Sequence, residues 1–213
     1  MNHLLRKTIT LLVGLSILLL SDYKIFASDS NVFTLTGPGL NGYNENGVTP
    51  VIFEIQNDKK EMIYGYCGDI TAKVVVGSQY KASDLYSTNQ FGNKEINQLA
   101  AILYNSYPYI TIEEMQEKSG ISYIKKKEAI TAIQYAIWHY TNNTNFNSSY
   151  EVVNELYKYL INLKPITKND NMELKVFLYL PANNVKSQIL IGLNENNETT
   201  EPTTGETTTG ETT

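Results

Sequence analysis

Residues 126–141 read Lys-Lys-Glu-Ala-Ile-Thr-Ala-Ile-Gln-Tyr-Ala-Ile-Trp-His-Tyr-Thr. Ile130, Ile133, Ile137, Trp138 and Thr141 recur at the spacing of one face of an α-helix, which predicts a helix from about Lys126 to Thr141. Gln134 interrupts that face, four residues after Ile130 and four before Trp138. A carboxamide on an apolar face must find partners or lose about 1–3 kcal/mol to desolvation. A hydrogen bond to a strand backbone would meet that demand. A chemical use for the side chain is the other reading.

Working outward, Ile96, Leu99, Ala100, Leu103 and Tyr104 predict an earlier helix that stops before Pro108. Thr111-Ile112-Glu113-Glu114 has the form of a capping box, and Gly120 suits the end of that short helix. Ser148-Ser149-Tyr150-Glu151 could start a fourth, with Val152, Val153, Leu156, Tyr157 and Leu160 on its buried side. The flanks read as strands. Val51–Gln56, Met62–Cys67 and Ala72–Val76 are strand candidates on the amino-terminal side, the first preceded by a turn-rich stretch from Gly37 to Pro50. Leu174, Val176, Leu178 and Leu180 alternate on the other side, as do Ile189, Ile191 and Leu193. Period-two alternation puts Cys67 on the face of Ile63, with Tyr64 and Tyr66 opposite. Strands, then helices, then strands imply an α+β fold, a sheet framework with a helical subdomain inserted into it.

The ends of the chain carry different signals. Arg6 and Lys7 precede an apolar run, Thr8–Leu20, and Ile25-Phe26-Ala27 is an acceptable cleavage site, so residues 1–27 are expected to be an export signal. The last residues repeat Glu-Pro-Thr-Thr-Gly and Glu-Thr-Thr-Thr-Gly without an apolar side chain, and 195–213 are expected to be an extended Thr/Glu/Gly-rich stalk start. Residues 28–194, roughly 165 positions, are left for one domain. The net charge is −5, and no basic stripe is visible, which argues against a nucleic-acid partner. No metal-ligand set, phosphate loop or other cofactor motif is present in the sequence.

The chain has one cysteine, Cys67. In an exported protein it has no intrachain disulfide partner, so it is buried as a small apolar residue, paired with another chain, or used chemically. A cysteine acyltransferase or protease would need a base, and His139 is the one histidine beyond the export signal. His139 lies five residues after Gln134, about 140° around the helix, and is expected to face solvent or serve structure. A strand-borne Tyr-Cys-Gly also lacks the usual means of lowering a thiol pKa. A secreted noncovalent binding module, with Cys67 and Gln134 both buried, stays open. So does a reaction between the two: thiolate attack on the glutamine carbonyl, with loss of ammonia, leaves a γ-glutamyl thioester. That reaction needs a rigid strand facing a rigid helix, and exclusion of water. Tyr66, Tyr135 and Trp138 are placed to supply a shield.

Tyr66-Cys67, with Ile133-Gln134-Tyr135-Ala136-Ile137-Trp138 further on, resembles the Gram-positive thioester domains of pilus tips and surface adhesins. Their signature is an aromatic-Cys pair on a strand, then hydrophobic-Gln-x-x-hydrophobic-Trp on a helix. The likeness runs through most of residues 33–193, including Tyr104-Asn105-Ser106-Tyr107-Pro108 after a helix. There are two departures: Ile133 where many members have threonine, and Gly68 where a bulkier residue is common. The resemblance implies a β-sandwich-like domain with a helical insertion and a Cys67–Gln134 thioester. It implies a single-use reactive adhesin in place of a turnover enzyme, with no cofactor and no metal. The expected partner is a host or extracellular-matrix protein, fibrinogen-like or another, that offers a lysine amine and receives an isopeptide bond. The expected setting is a monomeric tip domain, secreted to the bacterial surface and attached to the cell wall through a further carboxy-terminal region.

Overall fold

The computed structural model of the protein describes residues 32–45, 47–168, 175–182 and 186–194. The expected export signal, the expected stalk start and Leu174 lie outside the described residues.

Six strands, β1 (Val32–Asn41), β2 (Val51–Asn57), β3 (Met62–Cys67), β4 (Gln79–Asp84), β5 (Val176–Pro181) and β6 (Leu190–Leu193), form one antiparallel sheet. Their order is β1-β2-β3-β6-β5-β4, and β4 pairs back onto β1, so the sheet closes into a barrel. Between β4 and β5 the described residues form a short 3₁₀ turn at Leu85–Ser87 and four α-helices, α1 (Asn93–Tyr104), α2 (Ile112–Ser119), α3 (Lys126–Thr141) and α4 (Glu151–Ile161). Barrel and helices contribute to the same buried apolar cluster.

The mixture of helix and strand is as the sequence implies, but the sheet is not sandwich-like. Alternation in a strand reports which face is buried and is silent on whether two sheets stack or one sheet closes. Closure depends on β4, which hydrogen-bonds β1 on one edge and β5 on the other. The helices are consecutive in the chain, as expected, yet they share the barrel's core and have no separate one.

Two strands differ from expectation. Residues 72–76 are irregular, and the strand lies further on, at Gln79–Asp84. Val75 and Val76 are 46% and 57% exposed at a turn closed by Gly77 at φ 85°. β-Branched residues favour strands because they pack on a half-buried pleat, and no neighbouring strand supplies one here. β1 was hidden because it contains Gly37, Pro38 and Gly39, where its register against β2 shifts.

The helices follow their local signals. Thr111 and Glu114 make a reciprocal capping box on α2, and Gly120 ends it in the left-handed region at φ 73°. On α4, Val153, Leu156, Tyr157 and Leu160 are buried, with Val152 half-buried. α3 departs from a simple one-faced helix, because every residue from Glu128 to Trp138 is buried. It is wedged between α1 and α4 on one side and strands β1–β3 on the other. This brings the middle of α3 to the end of β3.

Candidate functional site

Cys67 is the last residue of β3, paired with Leu190 of β6, and is 3% exposed. Gln134 is fully buried at the middle of α3. Its carboxamide lies against the strand end: the Cys67 backbone N–H donates to Oε1 at 3.0 Å, and Nε2 donates to the Cys67 carbonyl at 2.8 Å. Both polar ends of the side chain are satisfied by one residue. The sulfur has its own partners. The Trp138 indole N–H donates to Sγ at 3.2 Å, and the thiol donates to the Asp69 carbonyl at 3.1 Å. Trp138 stands one helical turn after Gln134, so α3 presents both groups to Cys67 at once.

Burial pushes the Cys67 thiol up to about 12, the Trp138 and Asp69 hydrogen bonds offsetting part of the shift and the Asp69 charge adding to it. The thiol therefore stays protonated at neutral pH and is a poor nucleophile toward solutes in water. Its chemistry is directed to whatever the fold places beside it.

The loop after β3 is tied down on two sides. Gly68 N–H donates to the Ile189 carbonyl at 2.8 Å, and a β-carbon on Gly68 would meet Ile189 Cγ1 at 2.8 Å. The glycine is thus required by the close approach of the β6 segment. Asp69 Oδ1 accepts from Thr71 N–H and Oγ1, both at 2.8 Å, and from Asn142 Nδ2 at 3.3 Å. Asn142 caps the carboxy-terminal end of α3 and accepts from Ile70 N–H, which fixes the loop to the helix.

Tyr135 and Trp138, 5% and 3% exposed, lie beside Gln134 and Cys67. Phe146 completes the cover, stacked on Tyr135 at 4.3 Å between ring centres and tilted against Trp138 at 5.9 Å. The Tyr135 hydroxyl donates to Glu45, whose carboxylate also accepts from Ser148 Oγ and from Ser149 N–H and Oγ. Tyr43 stacks on Tyr150 at 3.9 Å beside this latch. Tyr66, named as a shield from sequence, is fully buried, but strand alternation puts it on the face opposite Cys67. Its hydroxyl donates to the Tyr107 carbonyl at 2.6 Å. His139 Nδ1 is bonded to the Tyr157 hydroxyl at 2.9 Å, on the α4 side.

Sequence reasoning missed Glu45, Asp69, Asn142 and Phe146. Only Phe146 left a signal, as the one large apolar residue in the polar run Thr141–Ser149. Among the described residues, no three His, Cys, Asp or Glu side chains come together in a way that could hold a metal ion.

The fold has counterparts. By fold, the chain is similar to the amino-terminal thioester domain of a surface protein from Clostridium perfringens, at 17% identity and a TM-score of 0.55, covering 76% of this chain and 98% of that one. It is also similar to the amino-terminal domain of the Streptococcus pyogenes pilus tip adhesin Cpa, at 17% identity and a TM-score of 0.54, covering 79% and 95%. A third is the thioester domain of the fibronectin-binding protein SfbI from Streptococcus pyogenes, at 14% identity and a TM-score of 0.52, covering 80% and 97%. A search of curated proteins finds no match. Residues 64–165, which hold both Cys67 and Gln134, match the family model "Thioester domain", so this part of the chain resembles the thioester domains of Gram-positive surface proteins.

Proposed function

We propose that Cys67 and Gln134 form an internal thioester, and that the domain is a surface adhesin that uses it once to capture a lysine amine of a host or matrix protein. The observation that carries this reading is the seating of the Gln134 carboxamide on the backbone of Cys67. The Cys67 N–H points at Oε1, where negative charge develops when sulfur adds to Cδ, and so acts as an oxyanion donor. Sulfur attack, collapse and loss of ammonia then give the Cδ–Sγ bond. The Trp138 N–H stabilises sulfur when it later departs as a leaving group. Tyr135, Trp138 and Phe146 keep water from the bond until a target docks.

An amine attacking Cδ would displace Sγ and leave an isopeptide bond to Gln134. Nothing in the sequence regenerates the thioester, so the reaction is stoichiometric. Covalent attachment suits a surface protein, because retention no longer depends on a dissociation rate. Surface location and host-protein binding are carried over from the similar domains, which include those of a pilus tip adhesin and a fibronectin-binding protein. Export through residues 1–27, a stalk from 195 and wall attachment complete the proposal.

A noncovalent binding module is favoured by one observation: both ends of the Gln134 carboxamide are already hydrogen-bonded to backbone. Intact-mass measurement separates the two. The purified protein is expected one ammonia lighter than its sequence, with the deficit absent in Cys67→Ala and in Gln134→Ala, and methylamine adding to the wild type. A full sequence mass with an intact thiol in the wild type leaves the noncovalent module.

A further inference from the structure

We propose that Asp69 is the residue that selects a cationic amine as the nucleophile, by holding the incoming ammonium beside the Cys67–Gln134 thioester. The inference rests on the thioester reading above and adds a specificity element to it.

Asp69 is two residues beyond Cys67, half-buried, and accepts the thiol hydrogen bond through its backbone carbonyl. Its carboxylate is fixed by three hydrogen bonds, all to Oδ1, from Thr71 and Asn142. Among the described residues Oδ2 has no hydrogen-bond partner, and neither of the two ion pairs involves Asp69. The carboxylate also stands at the wrong end of a helix. Asn142 caps the carboxy-terminal end of α3, where the helix dipole is negative and an anion is disfavoured. His139, the basic residue in that last turn, is engaged with Tyr157. An anion held without a cation at a negative helix end makes a site that favours a positive charge from outside. The charge is close enough to the sulfur to raise the thiol pKa, so it reaches the reacting atoms. Although burial works against it, hydrogen bonds from Thr71 and Asn142 hold the carboxyl below its ordinary value, which keeps it ionised.

The reaction balances with this residue in place. The ammonium sheds a proton to solvent, and the free amine nitrogen attacks Gln134 Cδ. The Cδ–Sγ bond breaks, and its electron pair leaves with Sγ. The second nitrogen proton passes to Sγ, giving a neutral thiol and an amide. Asp69 acts before these steps, by holding the ammonium form at the site until its first proton leaves, and takes no part at the sulfur.

The test compares two nucleophiles on the intact protein: Nα-acetyl-lysine amide, cationic at neutral pH, and hydroxylamine, which is neutral. Asp69→Asn is expected to keep the ammonia deficit and to slow the lysine adduct by roughly tenfold, the low end for electrostatically focused sites. Its hydroxylamine rate should be unchanged, and Asp69→Glu should recover part of the lysine rate. Equal slowing of both nucleophiles, or of neither, overturns the inference. If Asp69→Asn does not assemble the thioester, salt dependence in the wild type decides: added salt should slow lysine and spare hydroxylamine. A lysine rate indifferent to salt overturns the role. A wild type with no ammonia deficit overturns the thioester itself, and this inference with it.

Discussion

The indole N–H of Trp138 points at the sulfur of Cys67 across 3.2 Å, from one helical turn beyond the glutamine that lies against the same cysteine. The contact gives the sulfur a side-chain donor in an apolar setting, and it pulls the Cys67 pKa down against burial. Trp138→Phe keeps most of the ring and removes the N–H. A net loss of about 0.5–1.5 kcal/mol is expected in thermal or denaturant unfolding. The fraction of protein lacking ammonia in an intact-mass spectrum should fall with it. Full thioester occupancy with unchanged amine reactivity would mean that the tryptophan only fills space.

Gly68 makes a sharper steric prediction. Its N–H is bonded to the Ile189 carbonyl, so the β6 segment cannot retreat when a side chain is added. A β-carbon would sit 2.8 Å from Ile189 Cγ1. Gly68→Ala should cost about 1–3 kcal/mol as an overpacked contact. The bulkier residue common after the cysteine in related domains should be worse here. A melting temperature unchanged in Gly68→Ala would show that Ile189 repacks freely.

The buried thiol gives a pH dependence with a definite sign. Its pKa is raised from 9.0 to about 12 in the folded state, so folding favours the protonated form. That contribution is fully present below about pH 9 and is lost as pH climbs toward the folded value. Gln134→Ala, which leaves a free thiol, should therefore lose stability between pH 9 and 11 faster than the double variant Cys67→Ala/Gln134→Ala. Subtracting the two curves removes the tyrosines that titrate in the same range. Parallel curves would mean that the thiol is not buried in solution.

How far the sequence carries depends on the range of the interaction. The limits of α3 and the capping box of α2 were legible because periodicity and capping are written within a few residues. Gln134 was legible because it broke a local pattern. β1 was not, since its glycines and proline read as a turn and only pairing with β2 and β4 makes it a strand. Barrel closure and the latch have the same origin. Glu45 meets Ser148 across 103 residues of chain, and no local signal marks a carboxylate that will be used at such a distance.

That latch yields the last prediction. Glu45 draws together the loop after β1, the loop before α4, and the Tyr135 hydroxyl above the site. Burial alone would raise its carboxyl, but the hydrogen bonds from Ser148, Ser149 and Tyr135 outweigh it and hold the group below its ordinary value of 4.5. A depressed folded value means the stabilising contribution is present above the unfolded pKa and is lost as pH falls through the folded one. Acidification below about pH 4.5 should thus release the cover formed by Tyr135 and Phe146, and Glu45→Gln should weaken it at neutral pH. The readout is loss of the thioester by water, followed as a mass gain in protein held without amine. Glu45→Gln is expected to hydrolyse several-fold faster than wild type at pH 7, while Ser149→Ala, which leaves the Ser148, Tyr135 and Ser149 backbone bonds in place, changes little. Hydrolysis equally slow in Glu45→Gln would place the water barrier in the aromatic packing alone, with the carboxylate serving only to join two loops.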